Sequence, residues 1–171
     1  MKVVLSRLGC PVKCGRFALL VVAVLVATVA CGGDKVEPSI SLADAQATAS
    51  KDLREAAAAV FPPGFSLEEM PPQPLPCTGS SNRPDGRVLV GVSFWVNGID
   101  NARNNSYFDA LKNWWTAHGW AVATDSRPGD MFVNAGRDGY LMSLQASVNG
   151  RLSLGNSTPC VWRSGTPEPS S

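Results

Sequence analysis

Residues 87–97 read RVLVGVSFWVN, and this stretch decides the fold class of the chain. Large apolar residues occupy every second position along it, and a second set of residues occupies the positions between them. In an extended strand the two sets point to opposite faces. One set comprises Val88, Val90, Val92, Phe94 and Val96. The other comprises Leu89, Gly91, Ser93 and Trp95. The pattern predicts a half-buried β-strand with its valine face against a core.

A helix is predicted upstream of this strand. Ser41 can cap it, with Asp44 in the capping-box position three residues later. Its apolar positions recur at helical spacing; they are Leu42, Ala45, Ala49, Leu53, Ala56 and Val60. Pro62-Pro63-Gly64 ends it. The proline-rich residues 62–86 are expected to form a long loop, with Glu68-Glu69 as a solvated pair.

A second helix is predicted downstream, where Ser106 and Asp109 repeat the capping-box pattern. One arc of this helix gathers Tyr107, Phe108, Leu111, Trp114, Trp115 and His118. His118-Gly119 ends it, since a glycine commonly follows a helix terminus. We expect this arc to pack on the same core as the first helix.

Strands and tight turns fill the remainder of the chain. Residues 120–124 and 131–135 flank a turn at Arg127-Pro128-Gly129, as two strands or as one interrupted strand. Asp138-Gly139 and Asn149-Gly150 are strong hairpin signals on either side of the alternating residues 140–148. Short hairpins make neighbouring strands antiparallel. The sequence therefore predicts an α+β two-layer sandwich, with an antiparallel sheet of about four strands and two helices on one face.

The first thirty residues have the pattern of a secretory signal peptide. Lys2, Arg7, Lys13 and Arg16 precede the apolar run 17–30, which is shorter than the about 20 residues of a membrane-spanning helix. The run ends at Thr28-Val29-Ala30-Cys31, which resembles the lipobox of bacterial lipoproteins, in which the cysteine is lipidated. Alternatives are an ordinary signal peptide with Cys31 as a free thiol, or a transmembrane anchor.

These features predict a domain order. Residues 1–30 are the lipoprotein signal peptide, 31–40 a lipid-anchored tether, 41–162 a single α+β domain and 163–171 a disordered tail. The expected location is the extracytoplasmic face of the cell membrane, held by the lipid on Cys31.

Charge and cysteine content narrow the class of protein. Without the four basic residues of the signal peptide, eleven Lys and Arg face fourteen Asp and Glu, a net charge of about −3 that gives no reason to expect nucleic-acid binding. Cys10 and Cys14 leave with the signal peptide. Cys77 and Cys160 remain in an oxidising compartment, where a disulfide is the default.

No residue is assigned a catalytic, cofactor-binding or metal-binding role. His118, the single histidine, lies at a helix end, which favours capping. Asp100, Asp125 and Asp130 are expected to be solvated turn residues, since their spacing is unlike a calcium loop. No phosphate-binding, dinucleotide or HExxH motif occurs, and Gly91–Phe94 lacks the second glycine of a nucleophile elbow. We expect no enzyme and no cofactor; an envelope hydrolase using loop carboxylates is the alternative.

The tryptophans suggest a binding role. Trp114, Trp115 and Trp120 are expected to fill the core, whereas Trp95 points away from the valine face. Trp95 therefore marks a possible binding face, on which Tyr107 or Trp114 could complete an aromatic platform for a glycan or lipid. Expected partners are the membrane through its lipid anchor and an envelope protein or small apolar or glycan ligand. A purely structural envelope component is a further alternative.

The chain also resembles the LppA-like lipoproteins of mycobacteria, within the small actinobacterial lipoproteins. The resemblance is carried by Val90-Gly91-Val92-Ser93-Phe94, by Gly139-Tyr140-Leu141-Met142-Ser143-Leu144, and by Leu152-Ser153-Leu154 with Pro159-Cys160-Val161. It covers about residues 41–162. It implies the compartment and the fold, and it implies no catalytic residues.

Overall fold

The structure, a computed structural model, describes residues 40–167. The predicted signal peptide, Cys31 and the predicted tether up to residue 39 lie outside the described residues. The last four residues of the predicted tail, 168–171, lie outside them as well.

Two α-helices and six strands make up the domain, with one 3₁₀ turn before the second helix. The helices are α1 (Leu42–Val60) and α2 (Asn104–Ala117). The strands are β1 (Ser66–Thr78), β2 (Pro84–Asn97), β3 (Ala121–Asp125), β4 (Phe132–Arg137), β5 (Tyr140–Ala146) and β6 (Leu152–Ser157).

All six strands join one antiparallel sheet in the order β1-β2-β6-β5-β4-β3. The predicted α+β class is confirmed, whereas four strands is an underestimate. One missing strand is β1. The other arises because residues 121–125 and 132–137 are two strands paired with each other, which resolves the alternative that the sequence left open.

The prediction of a loop over residues 62–86 is wrong, because β1 occupies most of it. β1 pairs with β2 despite its prolines at positions 71, 72, 74 and 76. Proline removes a backbone donor, so it is tolerated in a strand with one unpaired side. β1 is an edge strand with a register shift between Met70 and Gln73, and the same prolines protect the edge from further pairing.

Helix α1 begins as the sequence predicts. The backbone N–H of Asp44 donates to Ser41 Oγ at 3.2 Å, and Ser41 Oγ in turn donates to the Asp44 carboxylate at 2.7 Å. The residues buried on its packing face are Leu53, Asp52 and four alanines. Asp52 is buried on this face and forms an ion pair with Arg137 of β4 at 2.9 Å, which fastens the helix to the sheet.

The N-cap of helix α2 is Arg103, three residues earlier than predicted, so the capping box at Ser106 and Asp109 is wrong. A 3₁₀ turn (Asn101–Arg103) leads directly into the helix, and Asp100 caps that turn by accepting from the backbone N–H of Ala102 at 3.0 Å. The turn supplies the change of direction, and Asn104 is already helical. Asn104 Nδ2 donates to Gly150 O at 2.7 Å, which ties the start of α2 to the β5–β6 turn.

The core lies between the two helices and one face of the sheet. Trp115 Nε1 donates to Met142 Sδ at 3.1 Å, and Asn156 Nδ2 of β6 lies 3.5 Å from Ala49 O of α1. Trp115 and Trp120 are buried and Trp114 packs at the edge of this core, as predicted. The valine face of β2 is buried here too.

Both predicted hairpin turns and the disulfide are present. Asp138 and Gly139 have positive φ angles of 50° and 80°, as a two-residue turn between twisted strands requires. Ser147 and Arg151 close the β5–β6 turn, with an N–H···O distance of 2.8 Å. Cys77 and Cys160 are bonded, which fastens the end of β1 to the segment that follows β6.

Over residues 40–167, neither helix is both long enough and apolar enough to cross a membrane.

Candidate functional site

The two faces of the sheet are covered differently. Helices α1 and α2 pack on the face that carries Phe94 and Met142, whereas within the described residues no helix packs on the opposite face. We call that opposite surface the open face, and define it by the row Glu68, Trp95, Ser153, Gln145 and Phe132 and the rows on either side of it that share its orientation. We take the open face as the candidate functional site because no helix of residues 40–167 covers it.

Trp95 is held in place on the open face. The guanidinium carbon of Arg151 lies 4.5 Å from the centroid of its ring, within the range of an attractive cation–π contact. Arg151 also forms an ion pair with Glu68 at 2.6 Å and donates to Asn97 Oδ1 at 3.1 Å. These contacts join β1, β2 and the start of β6, so a half-buried tryptophan is fixed by its neighbours.

The carboxylate of Glu68 belongs to this network, which corrects the prediction of a merely solvated pair with Glu69. Asn97 Nδ2 donates to Glu68 Oε2 at 3.1 Å. This hydrogen bond, together with the nearby charge of Arg151, holds the pKa of Glu68 below its usual range. Glu68 is therefore ionised at neutral pH.

Small residues form the floor of the open face beside Trp95. Ser93, Gly155 and Ser143 lie directly opposite one another on β2, β6 and β5. A Cβ built on Gly155 would lie 3.1 Å from Ser93 Oγ, so a larger residue in the centre of this row would displace that hydroxyl by a few tenths of an ångström. The next row brings Gly91 opposite Ser157, and a Cβ on Gly91 would meet only Ser157 Oγ, at 4.0 Å. The floor thus consists of small residues, and Ser93, Ser143 and Ser157 supply its hydroxyl groups.

Apolar and amide side chains surround this floor. Leu75 of β1 and Leu141 of β5 are 55% and 44% exposed, large values for leucines in a sheet. Gln145 adds an exposed amide group on β5, whereas Asn134 of β4, next to Phe132, has its amide oxygen buried. The open face therefore combines exposed apolar surface with groups that can donate and accept hydrogen bonds.

The proposed aromatic platform around Trp95 is corrected by the structure. Tyr107 is 3% exposed and packs edge-on against Phe61 in the core. Trp114 stacks on His118, with ring centroids 4.2 Å apart, on the helix side of the sheet. Neither ring can share a surface with Trp95, because the sheet lies between them.

His118 takes the capping position that the sequence predicts. Its ring nitrogen Nδ1 lies 2.7 Å from Trp114 O at the end of α2. The guanidinium of Arg137 donates to the backbone carbonyl of His118 at 3.1 Å. Since a carbonyl only accepts, Nδ1 carries the proton in this contact. The single histidine of the sequence thus caps a helix.

The carboxylates of the loops do not form a free pair. Asp125 accepts from Arg127 at 2.7 Å and from Lys112 at 2.7 Å, and Arg127 also contacts Asp109 at 2.9 Å. The hydrogen bonds from Arg127 and then Lys112 hold the pKa of Asp125 far below its usual range. A carboxylate fixed in this way is a poor proton donor or acceptor near neutral pH. Asp100 caps a turn, and Asp130 is exposed in the loop after Pro128.

Within residues 40–167, no group of three or more His, Cys, Asp or Glu side chains lies close enough together to hold a metal ion.

No known protein family matches the chain, and no curated protein and no solved structure is similar to it. The likeness to the LppA-like lipoproteins stays a prediction. What the domain can do must therefore be argued from its own residues.

Sequence reasoning identified Trp95 but missed its neighbours on the open face. The sequence predicts that Glu68 lies in a loop, and it gives Arg151 no role in a site. The two are 83 residues apart in the chain and meet only through the pairing of β1 with β2 and of β2 with β6. The alternation in β2 was the one signal in the sequence for a second face.

Proposed function

We propose that this protein is a lipid-anchored, extracytoplasmic binding module that uses the open face of its sheet to hold a partner at the cell envelope. The observation that carries the proposal is the contrast between the covered and the open face. A two-layer domain needs only one face for its core, and the other here keeps a fixed tryptophan and exposed leucines. Exposed apolar side chains beside groups that form hydrogen bonds are typical of interaction sites.

The proposed location depends on the first part of the sequence. The basic residues, the short apolar run and Thr28–Cys31 favour cleavage before Cys31 and lipidation of its thiol. The Cys77–Cys160 disulfide agrees with an oxidising compartment. The likeness to LppA-like lipoproteins supports the same proposal.

The open face also supports binding over the two alternatives. An envelope hydrolase would use loop carboxylates, but Asp125 is neutralised by Arg127 and Lys112. A purely structural component has no use for a fixed, partly exposed tryptophan. The side chains that a binding role requires are all present among the described residues.

Photo-crosslinking in the cell tests the binding role. One variant carries a benzophenone amino acid in place of Gln145, which lies in the same row as Trp95. The control variant carries it in place of Thr116, which lies on the exposed side of α2. We expect adducts from Gln145 and few from Thr116. Equal adducts from both positions, or none from either, would refute a specific role for the open face.

Cell fractionation tests the anchor. Cys31→Ala removes the thiol that lipidation needs, so we expect the protein to move from the membrane fraction to the medium. A matched Cys77→Ala variant keeps the anchor and should stay with the membrane. If Cys31→Ala remains in the membrane at full length, the apolar run is a transmembrane anchor.

A further inference from the structure

We propose that the occupant of the open face is a neutral, hydroxyl-rich glycan; this inference rests on the binding role proposed above and names the class of ligand. The observations are the pairing of the charges on this face, the polarity of its floor and the fixed ring of Trp95.

The charges on the open face are internally paired. The ionised side chains that the strand register places there include Glu68 with Arg151 and Asp85 with Arg87, each pair joined at 2.6 Å. An acidic or basic ligand would have to break one of these pairs to find a counter-charge. A neutral ligand leaves both intact, so the charge distribution of the face is complementary to an uncharged molecule.

The floor offers groups suited to sugar hydroxyls. Serine hydroxyls and glutamine and asparagine amides both donate and accept hydrogen bonds, as sugar hydroxyls do. Ser93, Ser143 and Ser157 lie on three neighbouring strands, with Gln145 one row away. A purely apolar ligand would leave these polar groups without partners, at a cost for each one buried.

Trp95 supplies the apolar contact that a sugar ring also needs. The C–H groups of a sugar pack on tryptophan while its hydroxyls turn outward, which matches a large aromatic surface beside a polar floor. Arg151 fixes the ring before binding, so little side-chain freedom is lost on association. From Gly91 to Trp95 the strand rises about 13 Å, enough for a short oligosaccharide rather than a single sugar.

Gly91 allows the face to be blocked without disturbing the core. A Cβ at this position would meet only Ser157 Oγ at 4.0 Å, so a leucine side chain would project over the floor. Gly91→Leu thus removes access to the floor, and Trp95→Ala removes the ring. Trp114→Ala is the matched control, a partly buried tryptophan on the other side of the sheet.

The experiment measures binding of the full chain, purified in detergent micelles, to immobilised polysaccharides. Dextran, mannan, galactan and arabinan are the neutral probes. Carboxymethyl-dextran has the dextran backbone with added charge. We expect at least one neutral polysaccharide to bind more tightly than carboxymethyl-dextran. Gly91→Leu and Trp95→Ala should each weaken that binding at least about tenfold, and Trp114→Ala by no more than about twofold.

Two kinds of result would overturn the inference. One is preference for carboxymethyl-dextran, or binding to no neutral polysaccharide. The other is neutral binding that Gly91→Leu leaves unchanged. The adduct formed from Gln145 in the cell separates these failures from failure of the proposed function. A protein or lipid adduct keeps the binding module and rejects the glycan, whereas no adduct rejects both.

Discussion

Phe94 and Trp95 are neighbours in β2 and point to opposite faces of the sheet. Each aromatic ring has an arginine over it: Arg54 of α1 lies 4.9 Å from the centroid of Phe94, and Arg151 lies 4.5 Å from that of Trp95. Phe94 is 1% exposed beneath the helices, whereas Trp95 is only half-buried. The difference shows that burial on this sheet is decided by what packs above it rather than by the residue type.

Breaking the disulfide should lower the free energy of unfolding more than any other change. The disulfide holds β1, and β1 forms an edge of both faces of the sheet. The Cys77→Ala/Cys160→Ala variant frees a loop with a sequence separation of 83. We expect the free energy of unfolding in urea to fall by about 4–5 kcal/mol on the chain-entropy account. Dithiothreitol should destabilise the native protein and leave the double variant unchanged. A loss below about 1 kcal/mol would mean that pairing with β2 alone holds β1.

Alanine at each of the two neighbours compares the faces directly. Phe94→Ala empties a site in the core and should cost about 3–5 kcal/mol of unfolding free energy. Trp95→Ala loses chiefly the contact with Arg151 and should cost about 1 kcal/mol. Urea unfolding followed by circular dichroism measures both. Equal losses would show that the open face is covered and that Trp95 belongs to a second core.

Two acid-to-amide changes compare the ion pairs of the two faces. Asp52→Asn breaks a partly buried pair between α1 and β4, with Asp52 7% and Arg137 29% exposed, and should cost about 2 kcal/mol. Glu68→Gln breaks an exposed pair on the open face and should cost less. Thermal unfolding of the two variants at the same pH gives the order. The reverse order would place the more strongly coupled pair on the open face.

Lowering the pH should have the smallest of these effects on the free energy of unfolding. The pKa values of Glu68 and Asp125 are lowered in the folded protein, so their stabilisation is complete above their unfolded values, about 4.3 and 3.9. It is lost as the pH falls through the folded values. Stability should therefore be insensitive to these two groups from pH 7 to 5 and decline below about pH 4. Urea unfolding of Asp125→Asn and Glu68→Gln from pH 7 to 3 measures how much each carboxylate contributes to the loss of stability in acid.

The pair of variants also distinguishes the two sides of the sheet. Asp125→Asn should remove more of the acid-dependent loss than Glu68→Gln, since two cations contact Asp125. If Glu68→Gln removes the larger share, the network around Trp95 is the stronger one.

Local patterns in the sequence were sufficient for much of the fold. The alternation in β2, the Ser41 cap and the Asp138-Gly139 turn each depend on residues a few positions apart, and all three were predicted. Strand β1 was missed because its prolines are typical of loops; only its position at the edge of the sheet makes them acceptable. The start of α2 was misplaced because the 3₁₀ turn before it does the work of a cap.

The candidate site depended on contacts that no local pattern contains. Alternation identified Trp95 as a residue that faces away from the core. The partners Arg151 and Glu68 come from strands whose order follows from the whole topology. The platform with Tyr107 or Trp114 is wrong, because the sequence does not show on which side of the sheet α2 packs, and both rings lie on the side away from Trp95.

Hydroxyl-radical footprinting of the tryptophans tests the central claim most directly. The oxidation rates of Trp95 and Trp114 are compared between the purified protein and the protein in intact envelopes. If the open face holds a partner, Trp95 is protected in the envelope while Trp114 reacts equally in both samples. Equal oxidation of Trp95 in the two samples would contradict the claim that the open face is the binding surface.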